Sequence, residues 1–169
     1  MARQIELNPV THITIGTVGP PGERVFYLQG GKHPDLITLK IEKQQAILLA
    51  SSLETLLEEL GDRFPSEDDR EPVWTDMRLH EPIEPLFRVG NIGLGFSAEV
   101  ERVAIVAYEL VDEEEEPNAV SLWANRIQIQ SLIKHARDTA EAGRPICGNC
   151  GQPIDADGHF CPNRNGHTH

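Results

Sequence analysis

The same order of local sequence patterns occurs twice in this chain: three strand-like segments followed by an amphipathic helix. The helices are predicted over about residues 43–60 and 126–142. Apolar residues recur along each at spacings of three and four, which is typical of a helix with one buried face. These stripes are Ala46, Leu49, Ala50, Leu53, Leu56, Leu57 and Leu60, and then Ile129, Leu132, Ile133, Ala136 and Ala140. Gly61 and Gly143 stand where glycines that end helices are expected.

Six segments ahead of the two helices have the character of strands. The last one before each helix alternates apolar and polar residues with period two, which predicts a strand with one buried face. The predicted strands cover about residues 12–18, 24–29 and 37–41 in the first half, and 86–96, 102–110 and 120–124 in the second.

The two halves can be laid over each other residue by residue. Leu39 falls on Leu122, Lys43 on Arg126 and Gln45 on Gln128, while Arg24 falls on Arg102 with a smaller shift. Two copies could bury both helices against one shared sheet. We therefore predict an α+β domain of two β-β-β-α repeats that share an antiparallel sheet with two helices packed on it. The boundaries are 1–143 for the domain, about 1–61 for repeat 1, 62–85 for a proline-rich connector, about 86–143 for repeat 2, and 144–169 for a separate tail.

The charge of the chain excludes some classes of partner. The sequence has 27 acidic and 15 basic residues, for a net charge of −12. Non-specific nucleic-acid binding depends on Lys and Arg neutralising phosphates, so nucleic acid is an unlikely partner. No apolar run reaches the length of a membrane span, and the first residues lack the apolar core of a signal peptide. We expect a cytoplasmic protein that does not bind membranes.

All three cysteines lie close together near the end of the chain, at Cys147, Cys150 and Cys161. An odd, clustered set in a reducing compartment indicates metal binding rather than disulfides. A Cys-x2-Cys turn brings two thiolates to one metal, and the return strand supplies the third. The pattern predicts a zinc-ribbon-like tail that binds structural Zn²⁺, in which Arg164 stands where a ribbon has its fourth cysteine.

The fourth zinc ligand is then a histidine, because imidazole is the usual substitute for thiolate. His159 would lie on one face of the return strand with Cys161, and His167 would follow the second turn. His169 is the last residue and is expected to fray. The spacing alone leaves His159 and His167 open.

Several segments together resemble an uncharacterised family of actinobacterial cytoplasmic proteins, sometimes labelled only as a repeat protein. They are residues 24–29 (Arg-Val-Phe-Tyr-Leu-Gln), 41–45 (Ile-Glu-Lys-Gln-Gln), 84–90 (Glu-Pro-Leu-Phe-Arg-Val-Gly), 94–95 (Leu-Gly), 142–147 (Ala-Gly-Arg-Pro-Ile-Cys), 158–162 (Gly-His-Phe-Cys-Pro) and 165–166 (Asn-Gly). That family keeps the Gly-His-x-Cys-Pro unit and usually has an aromatic residue at the position of His167. The resemblance therefore implies that His159 is the fourth ligand. It implies no activity.

Four basic residues are candidates for binding an anion. Lys43 and Arg126 begin the two predicted helices, and Arg24 and Arg102 occupy equivalent places on the strands. Helix N-termini favour anions, so the four could line a basic cleft. Pairing with the many acidic residues is the alternative interpretation.

Motifs of catalysis are scarce. The glycine-rich run 90–95 is not followed by a predicted helix, so it does not predict a dinucleotide site. Our leading hypothesis is a zinc-binding, non-enzymatic accessory or adaptor protein that binds a protein partner or a small anionic ligand. One alternative is an enzyme that acts on a phosphorylated or sugar-like substrate. Another is a nucleic-acid-binding zinc-ribbon protein.

Overall fold

The computed structural model describes residues 2–20, 22–63 and 76–142 of the chain. They form a seven-stranded sheet and two α-helices, which confirms the α+β class. The strands are β1 (Gln4–Leu7), β2 (His12–Val18), β3 (Val25–Lys32), β4 (Asp35–Ile41), β5 (Pro85–Ser97), β6 (Arg102–Glu109) and β7 (Ala119–Ala124), and the helices are α1 (Lys43–Arg63) and α2 (Arg126–Ala142). In the described part of the chain, neither helix is long and apolar enough to cross a bilayer.

The sheet is mixed rather than antiparallel. Its strand order is β1-β7-β6-β5-β4-β3-β2. Strands β4 and β5 pair in parallel, as do β1 and β7. The expectation of an antiparallel sheet is wrong at these two places. A long crossover through α1 returns the chain to the end where β4 began, so β5 runs beside β4 in the same direction.

Two boundaries also differ from the prediction. Strand β1 was not predicted, because four residues are too few to show a clear period of two. Helix α1 continues through Gly61 to Arg63, so this glycine lies inside the last turn and does not end the helix.

The sheet is rolled so that its two ends approach each other. Strands β1 and β2 lie at opposite ends of the strand order, yet only residues 8–11 separate them along the chain. Within this link, the Val10 amide donates to the carbonyl of Trp123 on β7 at 2.8 Å, and the Thr11 amide donates to the carbonyl of Gly31 on β3 at 2.8 Å. Adjacent residues therefore join strands that a flat sheet would hold far apart.

Inside the roll, β3 and β7 approach each other so closely that β3 has a glycine, Gly30, where it faces β7. A Cβ atom on Gly30 would stand 2.7 Å from Cδ2 of Leu122. The apolar stripes of both helices join the strands in one core, which confirms the predicted buried faces. Its largest fully buried apolar side chains are Ile15, Leu28, Leu39, Ile41, Leu53, Ile105, Leu122, Ile129 and Leu132.

Both helices begin with the same arrangement of a glutamine side chain. Gln45 Oε1 accepts a hydrogen bond from the amide of Glu42 at 2.7 Å, and Gln128 Oε1 accepts one from the amide of Asn125 at 3.0 Å. This is the reciprocal part of a capping box. Each Nε2 then donates to a backbone carbonyl outside the helix: Gln45 to Val89 on β5 at 3.0 Å, and Gln128 to Val10 in the link between β1 and β2 at 3.0 Å.

Candidate ligand-binding pocket

A cavity of about 860 Å³ lies between the end of β2, the second part of the connector and the last three turns of α2. Cavities of this size commonly hold small molecules. The connector residues 76–80 cross the outer face of β2 and β3, and we call them the strap. Polar and charged side chains from all three sources line the cavity, among them Thr17, Arg24, Arg78, Lys134, His135 and Thr139.

The strap lies directly on β2 because that strand has a glycine beneath it. A Cβ atom on Gly16 would stand 2.6 Å from Cγ of Leu79. The Thr14 hydroxyl, two residues earlier on the same face, donates to the carbonyl of Met77 at 2.7 Å. The strap therefore packs on the even-numbered positions of β2, and it forms one wall of the cavity.

Beneath the strap lies a buried polar network centred on Gln29. Its Nε2 donates to the Thr38 hydroxyl at 2.9 Å and to the His80 carbonyl at 2.9 Å. Its Oε1 accepts from the His80 amide at 2.7 Å and lies 3.1 Å from His12 Nε2. Gln29 and Thr14 are fully buried, and register places them opposite each other on β3 and β2. A buried polar side chain must find its partners, and this one does so by holding the strap.

Among the described residues, Arg24 is the cation of the cavity that has no ionic partner. It precedes β3, and its Nη1 donates to the Thr17 hydroxyl at 3.4 Å, a long hydrogen bond. Its Nε is buried and has no hydrogen-bond partner among the described residues. A buried N–H group without an acceptor costs free energy. The guanidinium is therefore poised to accept an anion from the cavity.

The other two permanent cations of the cavity already have partners. Arg78 Nε lies 3.0 Å from Oδ1 of Asp76, and Lys134 Nζ lies 3.0 Å from Oδ2 of Asp138. Hydrogen bonds from Arg78 and then from His80 hold the pKa of Asp76 well below its usual range. These exposed pairs leave Arg24 as the focus of positive charge.

His135 contributes an imidazole to the α2 side of the cavity. Burial lowers its pKa from the ordinary value of 6.5, and proximity to Lys134 also lowers it, while Asp138 opposes this shift. His135 is therefore neutral at pH 7 and can accept a proton.

Two of the four basic residues predicted to bind an anion lie together. Arg24 and Lys43 line a second, smaller cavity of about 350 Å³ at the start of α1. Neither of the two cavities lined by Arg24 is lined by Arg102 or Arg126. Arg102 Nη1 donates to Asn8 Oδ1 at 2.6 Å, and the Arg126 guanidinium lies 5.7 Å from the centre of the Phe96 ring.

The predicted zinc ligands, Cys147, Cys150, Cys161, His159 and His167, lie outside the described residues. Within the described ranges, no group of three or more His, Cys, Asp or Glu side chains could hold a metal ion.

Sequence reasoning missed the polar residues beneath the strap. His12, Thr14 and Gln29 occupy strand positions of the kind that usually face water, and the alternating pattern of β2 assigns them there. The available signal was in residues 76–80 of the connector, where the large apolar side chains of Met77 and Leu79 alternate with polar ones.

Comparison with known proteins yields a family but no described activity. Searches of curated proteins and of solved structures gave no match. A family profile whose description reads "Protein of unknown function (DUF3090)" matches residues 5–161, which supports the resemblance to an uncharacterised family. The chain, with its seven-stranded rolled sheet, therefore belongs to this DUF3090 family.

Proposed function

We propose that this protein is a non-enzymatic accessory protein that binds a small organic anion in the cavity between β2, the strap and α2. The observation that carries the proposal is the state of Arg24. Its guanidinium lines the cavity, and its buried Nε has no hydrogen-bond partner among the described residues. A bound anion would supply the missing acceptor.

Arginine is well suited to this role, because its planar fork donates two parallel hydrogen bonds to a carboxylate or phosphate. Arg78 and Lys134 contribute less attraction, since Asp76 and Asp138 already neutralise them. The anionic group of the ligand is therefore expected at Arg24, at the β-sheet side of the cavity.

The other side chains that line the cavity indicate the chemistry of the remainder of the ligand. Thr17, Ser131 and Thr139 offer hydroxyl groups, and Met77 and Leu79 offer apolar surface on the strap. Such a mixture favours a ligand with an anionic group on a body that is partly polar and partly apolar.

Calorimetric titration with inorganic phosphate and with glycerol phosphate tests this function. We expect saturable binding to the wild type and a loss of about tenfold or more in affinity in Arg24→Gln, because a hydrogen bond to a charged group is removed. Arg88→Gln is the matched control, since it removes the same charge from a residue that pairs with Glu42 outside the cavity. Equal binding by Arg24→Gln and wild type would overturn the proposal.

His135 favours a second candidate function, an enzyme that acts on a phosphorylated substrate. A neutral imidazole beside an arginine could serve as a general base next to a phosphate clamp. Hydrolysis of p-nitrophenyl phosphate that disappears in His135→Gln, with folding retained, would support the enzyme over the accessory protein.

We further propose that the tail holds one structural Zn²⁺ through Cys147, Cys150, Cys161 and His159, with His167 as the alternative fourth ligand. Three thiolates and one imidazole are a common donor set for structural zinc. Elemental analysis should give one zinc per chain in the wild type and a loss in His159→Ala. Normal zinc in His159→Ala with loss in His167→Ala would reverse the choice of ligand.

The duplication of the domain also remains a proposal. It is supported by the matched roles of Gln45 and Gln128, which cap the two helices and donate to backbone carbonyls outside them, Val89 on β5 and Val10 in the link between β1 and β2. A protein partner for the tail would be found by capture with the tagged chain beside a Cys147→Ser/Cys150→Ser variant.

A further inference from the structure

Polar side chains of β2 and β3 hold the strap on the sheet. Gln29 makes two hydrogen bonds to the backbone of His80, and Thr14 makes one to the backbone of Met77. The strap is not a strand of the sheet, so these polar groups hold it there together with the packing of Met77 and Leu79.

Two imidazoles complete the attachment. The His80 ring stacks on the His12 ring with a centroid separation of 3.8 Å and an interplanar angle of 9°. Gln29 Oε1 is an acceptor, because the Nε2 of the same amide donates to the His80 carbonyl. His12 Nε2 must therefore carry the proton in its contact with Gln29, which fixes the tautomer of the neutral ring and leaves Nδ1 without a proton.

The charges around the stack favour at most one imidazolium. In the part of the chain that the structure describes, the titratable or charged groups that face His12 are His80 and Asp76, both from the strap, while β3 contributes the neutral Gln29. Asp76 already accepts hydrogen bonds from Arg78 at 3.0 Å and from His80 Nε2 at 3.0 Å. Asp76 is the one carboxylate among these neighbours, and it favours a charged His12, whereas a positive charge on the stacked His80 ring would repel one on His12.

We propose that the His12–His80 stack is a pH-sensitive fastening of the strap, so that protonation releases residues 76–80 from the sheet and opens the strap wall of the ligand cavity. This regulation of the cavity rests on the function proposed above, because it assigns a purpose to the wall that the strap provides. The release of the strap from the sheet does not depend on that function.

The direction of the pH effect follows from burial. His12 is only 9% exposed, and burial is the main cause that lowers its pKa below the ordinary value of 6.5. Nearby His80 lowers the pKa further, whereas the hydrogen bond to Gln29, the charge of Asp76 and a hydrogen bond to the backbone of Asp76 oppose the shift. The folded protein thus binds fewer protons at His12 than the unfolded chain. The stabilisation is complete above pH 6.5 and is lost as the pH falls through the lowered pKa.

Hydrogen exchange of the strap, without ligand, tests the release. After correction for intrinsic rates, we expect the strap amides of the wild type to exchange about tenfold faster near pH 5.5 than near pH 7.5, as in a local opening. His12→Gln keeps a donor for Gln29 and cannot become charged, so its strap should show no such increase. An equal increase in both proteins, or none in the wild type, would overturn the proposal.

A second measurement guards against misfolding of the variant. In the wild type, NMR titration of the His12 ring protons should share its midpoint with the shifts of the Met77, Arg78 and Leu79 amides. Strap amides that stay unchanged while His12 titrates would overturn the fastening.

A sulfate titration in a His135→Gln background tests the coupling to the cavity, since this variant removes the imidazole that lines the cavity itself. Sulfate affinity should fall several-fold near pH 5.5. Unchanged affinity beside faster strap exchange would overturn the coupling, whereas no sulfate binding at any pH would count against the proposed function alone.

Discussion

The outer faces of the two halves of the sheet differ although their strands have the same order. In the first half the strap covers the face, and the row Thr14, Gln29 and Thr38 across β2, β3 and β4 is buried. In the second half the corresponding face of β6 carries Tyr108, which is 40% exposed. The difference shows that the cavity depends on the strap and on the buried polar residues beneath it, and not on the sheet alone.

The largest expected effect is at Gln29. Replacement Gln29→Leu removes the hydrogen bonds to the strap and to Thr38 and leaves buried partners unsatisfied, so we expect about 3 kcal/mol lower free energy of unfolding. Urea denaturation measures it. Tyr108→Leu, on the open face, is the control and should change stability by at most about 0.5 kcal/mol. Equal losses of free energy of unfolding in the two variants would mean that the strap does not stabilise the first half of the sheet.

A smaller effect is expected from adding one methyl group beneath the strap. Gly16→Ala would place a Cβ atom 2.6 Å from Leu79 Cγ, and the strap would have to shift. We expect about 1–2 kcal/mol of destabilisation from overpacking, together with faster hydrogen exchange of residues 76–80.

Gly93→Ala supplies the matched control on the open half. Its Cβ atom would meet only Tyr108 Cε2 at 3.9 Å, an ordinary contact. The variant should be within about 0.5 kcal/mol of the wild type. If Gly93→Ala lost as much free energy of unfolding as Gly16→Ala, an added side chain would be destabilising at both positions for a reason other than contact with the strap.

The smallest expected difference concerns the feature that both halves share. Gln45→Ala and Gln128→Ala each remove a helix cap and a hydrogen bond to a backbone carbonyl outside the helix, so each should cost about 1–2 kcal/mol. Thermal denaturation of the two variants should give losses that agree within about 0.5 kcal/mol. Strongly unequal losses would contradict the equivalence of the two glutamines.

Much of the fold could be predicted because local patterns and tertiary packing agree. The stripes of α1 and α2 and the alternation in β4 and β7 each specify one buried face, and those faces meet in one core. Parallel pairing of β4 with β5 could not be predicted, because the direction of β5 depends on the path of a connector that has no periodic pattern.

The candidate site was harder to predict for a related reason. Arg24 was recognised as a basic residue of interest, but its place in the cavity depends on α2 and the strap, which are distant in sequence. His12 and Gln29 follow the pattern of residues that face water, and only the strap makes them buried. Long-range coverage of a sheet face leaves little trace in the local sequence.

The most direct test of the central claim observes the Nε–H group of Arg24 itself. In ¹H–¹⁵N NMR spectra of the wild type, addition of inorganic phosphate near neutral pH should shift the Arg24 Nε–H resonance saturably, because the buried group gains an acceptor, while Arg88 Nε–H stays unchanged. An Arg24 resonance that does not move as phosphate is added, or one that moves in parallel with Arg88, would contradict the account.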